Sequence, residues 1–119
     1  MTKAPPFYIA TTHRRIAQAE REVLLRILQD LKSKQLLLVD DLEVVGRCGC
    51  GSCPTIFFQP QLQEEPEKEV ASYFGQDETG APVGVLLWEI NGRPSQLEFY
   101  SVDGHDPWHI PRAETLEPF

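Results

Sequence analysis

Three cysteines fall within six residues, in the run Cys48-Gly49-Cys50-Gly51-Ser52-Cys53. Thiolates are donors for zinc and other soft ions, and cysteines spaced this closely on a glycine-rich turn can converge on one ion. A structural zinc takes four ligands. No second Cys-x-x-Cys pair is present, so the fourth ligand has to come from His13, His105, His109 or a partner. Two competing readings use the same residues: turn-lining thiols without metal, or a redox sensor whose thiolate is favoured if Arg47 lies close.

A nucleophilic site would need a thiol, a base and a group to orient the base. Cys53, with His105 or His109 and Asp103 or Asp106, supplies those residue types. Nothing in the spacing fixes their geometry, and the segment from Asp103 to His109 reads equally as a loop with Asx-turn chemistry. Glu89 and Glu98 suggest paired carboxylates, but strand alternation places them on a solvent face. Phosphate-binding loops, dinucleotide fingerprints, helix-borne HExxH and EF-hand loops are all lacking. The chain therefore reads as a non-enzymatic protein.

Charge narrows the partner. Residues 1–62 carry eight Lys or Arg and six Asp or Glu, whereas residues 63–119 carry three and twelve. The overall formal charge is −7. Phosphate contacts need a basic surface, so nucleic acid is not expected as a partner. An acidic half attracts a basic protein and speeds its association. The expected contacts are Glu64, Glu65, Glu67, Asp77, Glu78, Glu89 and Glu98, with Trp108 as an aromatic anchor. An odd number of clustered cysteines makes a poor disulfide framework, which points to a reducing, cytoplasmic setting. No apolar run is long enough for a transmembrane helix, and no secretory signal is expected at the N-terminus.

The elements that position these residues follow from periodicity. The 119 residues suit one domain. Residues 1–14 read as an N-terminal arm, with Phe7, Tyr8 and Ile9 able to form an edge strand. Ile16, Ala19, Val23, Ile27 and Leu31, widened by Leu24 and Leu28, predict a helix over 16–32, with Glu22 and Arg26 as an ion pair. That helix lacks a strong N-cap, because Ala17 stands where Ser or Thr is favoured. Residues 33–41 fit a strand or a second short helix equally. Strands are expected at 42–48 and 55–58, with the cysteines at the connection between them, and again at 70–75.

Asn91-Gly92 predicts a type I′ hairpin over 83–102. A plain two-residue turn then sets Ile90 opposite Arg93, Trp88 opposite Ser95, Leu86 opposite Leu97 and Gly84 opposite Phe99. That register sends Trp88 to the core, and Pro94 marks a sheet edge. Residues 103–119 read as an irregular C-terminal tail anchored by Trp108, Ile110 and Leu116. The expected architecture is α+β: an N-terminal helix packed on an antiparallel sheet of about four or five strands.

The order of three segments also carries a resemblance. They are Arg15 to Leu25, then Val45-Gly46-Arg47-Cys48-Gly49-Cys50-Gly51-Ser52-Cys53-Pro54-Thr55-Ile56, then Gly84 to Leu87 followed by Gln96-Leu97-Glu98-Phe99-Tyr100-Ser101. This resembles a group of small bacterial α+β proteins of unassigned function that share an arginine-led cysteine cluster and an LExxS hairpin. The cluster here differs by one inserted residue, Ser52. Small acidic proteins of this kind include immunity proteins, so the resemblance implies occlusion of a basic toxin domain. The alternative expectation is metal binding, with zinc as the ion, or redox response at Cys48, Cys50 and Cys53.

Overall fold

The structure, a computed structural model, describes residues 8–50, 53–60, 66–104 and 108–119. Glu64, Glu65, His105 and Asp106 lie outside the described residues. Strand β1 (Tyr8–Arg15) leads into helix α1 (Gln18–Asp30) and a 3-10 helix (Lys34–Asp41). Strands β2 (Glu43–Cys48), β3 (Ile56–Phe57), β4 (Lys68–Gln76), β5 (Pro82–Ile90) and β6 (Arg93–Ser101) follow. A 3-10 turn (Ala113–Thr115) and β7 (Glu117–Pro118) end the chain. All seven strands form one antiparallel sheet in the order β1-β2-β3-β6-β5-β4-β7. The α+β class holds, but the sheet has seven strands where four or five were expected. Both ends of the chain account for the difference. The arm extends into β1, and the tail closes with β7 against Tyr73 and Phe74 of β4.

Helix α1 buries Val23, Leu24, Ile27 and Leu28 against Val83, Val85, Leu87, Leu97 and Phe99 of the sheet. Each such side chain stabilises the fold by about 1.5–3 kcal/mol relative to exposure. The apolar stripe is narrower than the sequence suggests, because Ala19 is exposed and Leu31 falls beyond the last helical residue. The missing N-cap is replaced from within. The Glu20 carboxylate accepts the Ala17 N–H at 2.8 Å, half of a capping box. Arg14 then donates to both Glu20 oxygens, at 3.0 and 2.7 Å. The expected Glu22–Arg26 pair gives way to Arg26–Asp30 at 3.3 Å and a Gln18–Glu22 hydrogen bond at 2.8 Å. Asp30 also accepts the Tyr73 hydroxyl, at 2.8 Å, which ties the helix to β4. Residues 33–41 resolve as the 3-10 helix, started by Ser33, whose hydroxyl accepts the Gln35 N–H. No helix among the described residues is long and apolar enough to cross a membrane.

The hairpin of β5 and β6 has the expected turn, with Asn91 and Gly92 both at positive φ. Its register departs after two pairs. Ile90 faces Arg93 as predicted and Glu89 faces Pro94, but the pairing shifts between Glu89 and Trp88, so that Trp88 faces Gln96 and Leu87 faces Leu97. Ser95 is the extra residue of a β-bulge, and a bulge turns every later side chain to the opposite face. Leu87 and Val85 therefore enter the core. Trp88 lies on the other face, where its indole N–H donates to Glu98 at 2.9 Å. Pro94 belongs to an interior strand, but at its turn end no strand among the described residues pairs with it on the β3 side. It lies past the end of the short β3, and its carbonyl accepts the Gln59 amide at 3.0 Å. The bulged Ser95 carbonyl accepts the Phe58 N–H at 2.8 Å, and its hydroxyl donates to Glu67.

Candidate metal centre

The connection between β2 and β3 carries the cysteines. Cys48 is the last residue of β2 and pairs across the sheet with Tyr8. Cys53 lies just before β3, and Cys50 stands exposed in the turn between them. The Tyr8 ring packs edge-on against Phe57, with centroids 5.0 Å apart. It also covers Gly46, where any Cβ would collide with it. This tight packing fixes the end of β2 from which the cysteine turn departs.

The three sulfurs all lie within 4.8 Å of one another. Cys50 Sγ and Cys53 Sγ are 3.2 Å apart. None of the three thiols is in a disulfide. Tetrahedral zinc at about 2.3 Å from each sulfur would set the sulfurs about 3.8 Å apart, so small adjustments would bring them onto one ion. Backbone donors already point at sulfur: Cys50 N–H toward Cys48 Sγ at 3.5 Å, and Cys53 N–H toward Cys50 Sγ at 3.3 Å. Such donors favour thiolate over thiol. Burial, with the neighbouring cysteines, pushes the Cys48 thiol up to about 12. A cation is what lets adjoining thiols lose their protons together. The Arg47 guanidinium donates to the Cys48 carbonyl at 3.2 Å.

Of the expected fourth ligands, His13 sits near the far end of β1, 3.5 Å from Glu43. It stands five steps along the strand from Tyr8, roughly 16 Å. His109 lies on the cysteine side. It lines a cleft of about 650 Å³ together with Cys53 and Pro54, Trp108, Ile110 and Arg112, and with Glu22 of α1 and Glu78. The carboxylate that holds this wall in place is Asp77. Sequence reasoning set Asp77 at the surface, yet it is only 3% exposed. One of its oxygens accepts the Thr79 hydroxyl at 2.6 Å and the N–H groups of Thr79 and Ala81, while the other accepts the His109 N–H at 2.9 Å. The Thr79 hydroxyl foremost, then the backbone donors, hold its carboxyl down to about 2 against the opposing effect of burial.

Among the described residues, the remaining expected acidic contacts fall into two groups. Glu67, Glu89 and Glu98 lie on or beside β4, β5 and β6, bonded to Ser95, Gln35 and Trp88 respectively. Glu78 and Trp108 stand at the opposite end of β5, on the cleft. The link from Asp77 to His109 spans 32 residues of sequence, and no local spacing signals it. Comparison of the chain with protein-family models, with curated proteins and with solved structures found no match.

Proposed function

We propose that this chain is a thiolate metal-binding protein that takes one zinc ion at Cys48, Cys50 and Cys53. The observation that carries this reading is the convergence of all three sulfurs within 4.8 Å at a single turn. Two backbone N–H groups pointing at sulfur support it, as does a donor set of thiolates, which selects soft and borderline ions. Zinc fits because it accepts nitrogen or oxygen beside sulfur in a tetrahedral shell. The ion would clamp the β2–β3 connection, where the chain passes from the β1–β2 edge into the middle of the sheet. Among the described residues, the acidic side chains considered for a basic partner lack a comparable focus, with Glu78 on the cleft and Glu67, Glu89 and Glu98 on or beside the strands.

The test is the zinc content and accessible-thiol count of protein purified under reducing conditions. About one zinc per chain with protected thiols is expected. Cys48→Ser, Cys50→Ser and Cys53→Ser should each lower zinc affinity. A metal-free chain that does not take up added zinc, with its thiols reacting independently, would refute the assignment.

A further inference from the structure

Three thiolates leave one position of a tetrahedral zinc unfilled, and a cleft adjoins the cysteine turn. Of the three cysteines, Cys53 is the one that lines the cleft, and His109 lines the same space. We infer that His109 is the fourth ligand, so that the centre is a Cys3His site joining the β2–β3 connection to the C-terminal segment. This rests on the metal reading above.

Three observations support the assignment. His13, the other described histidine, is held at the far end of β1 beside Glu43. The His109 backbone is fixed at the cleft wall by its N–H bond to the buried Asp77. Its imidazole Nδ1 stands 3.6 Å from Glu78 and 3.9 Å from Asp77. These contacts are longer than hydrogen bonds, but they leave a carboxylate within reach of one ring nitrogen, the partner that orients ligating histidines and leaves the other nitrogen as the donor. The imidazole stands outside the close group formed by the sulfurs. Ligation therefore requires the ring to turn across the cleft by rotation about its side-chain bonds. The side chain is more than half exposed, so no core packing opposes that rotation, and the exposed Glu78 carboxylate can follow it.

The experiment is X-ray absorption at the zinc edge on the reduced, zinc-loaded full chain, paired with zinc competition titrations. The wild-type protein should show three sulfurs and one imidazole nitrogen. His109→Ala should lose the imidazole signature and weaken zinc binding by at least the about 10–100-fold that loss of an outer-shell partner costs. His109→Cys should restore tight binding with four sulfurs, which a merely structural role for His109 would not produce. His105→Ala should leave both readouts unchanged. An imidazole signature that survives His109→Ala, or that vanishes in His105→Ala instead, overturns the assignment. So does a wild-type shell of three sulfurs and water. A wild-type chain that binds no zinc removes the metal reading itself, and this ligand assignment with it.

Discussion

Cys50 and Cys53 hold their sulfurs 3.2 Å apart, and a disulfide needs about 2.05 Å. Cys50 is the most exposed of the three thiols and is the natural first target of a peroxide. Its thiolate attacks the O–O bond to give a sulfenic acid and hydroxide, and Cys53 then displaces the sulfenic oxygen as water. The two thiols lose two electrons, and hydrogen peroxide is reduced to water. The expected product is one Cys50–Cys53 disulfide with Cys48 left as a thiol, together with loss of bound zinc. Peptide mapping after limited peroxide treatment checks this, and a Cys48–Cys50 bridge as the main product would contradict it. Asp77 supports a second prediction at this scale. Asp77→Asn keeps an acceptor for Thr79 but turns a donor toward the His109 N–H, so it should cost about 2–3 kcal/mol. The wild-type carboxyl sits at about 2, against an ordinary 3.8. Its contribution is therefore fully present above about pH 4 and is lost as the pH falls through about 2. Denaturant unfolding between pH 2 and pH 5 should show this slope in the wild type and a flatter one in Asp77→Asn.

At the scale of elements, α1 shows what periodicity conveys and what it leaves out. Val23, Leu24, Ile27 and Leu28 were legible as a core face because helical spacing repeats locally. The start of the helix was not, because Glu20 takes over the capping role that Ala17 lacks and is held there by Arg14 from the preceding strand. Glu20→Ala should therefore destabilise the protein by about 1–2 kcal/mol, more than an exposed helical glutamate would. Thermal unfolding of Glu20→Ala beside Glu22→Ala measures the difference, and equal effects would remove the capping role. The β5–β6 hairpin failed in a different way. Its turn was readable from Asn91-Gly92, but the bulge at Ser95 depends on Phe58 and Glu67, far away in sequence. A one-residue slip was enough to exchange Leu87 for Trp88 in the core. The cysteine cluster was legible because all its members lie within one turn. The cleft beside it was hidden, because Asp77 and His109 meet only through tertiary packing.

For the molecule as a whole, the strand order sets β1 and β7 at opposite edges, so the two ends of the chain stabilise different sides of one sheet. The cysteines serve the β1 side, while Leu116, 1% exposed, and β7 close the β4 side. Removing residues 117–119 deletes the two β7 pairings, the Phe119 N–H bond to the Ser72 carbonyl at 2.9 Å and the Phe119 ring beside Phe74. That should cost about 1–2 kcal/mol. His109 lies upstream, fixed by Asp77 rather than by β7, so the metal centre should survive the truncation. Zinc at a hundredfold excess over its Kd should then stabilise the full and truncated chains alike, by about 2.7 kcal/mol. Contributions from separated parts of one fold add, whereas coupled ones do not. Denaturant unfolding of both chains, each with zinc and with chelator, forms the required cycle. A zinc-dependent gain that disappears on truncation would mean that the edge strand is needed to hold the C-terminal segment at the cleft. A gain that stays constant would place the centre wholly in the cysteine turn, Asp77 and the segment around His109.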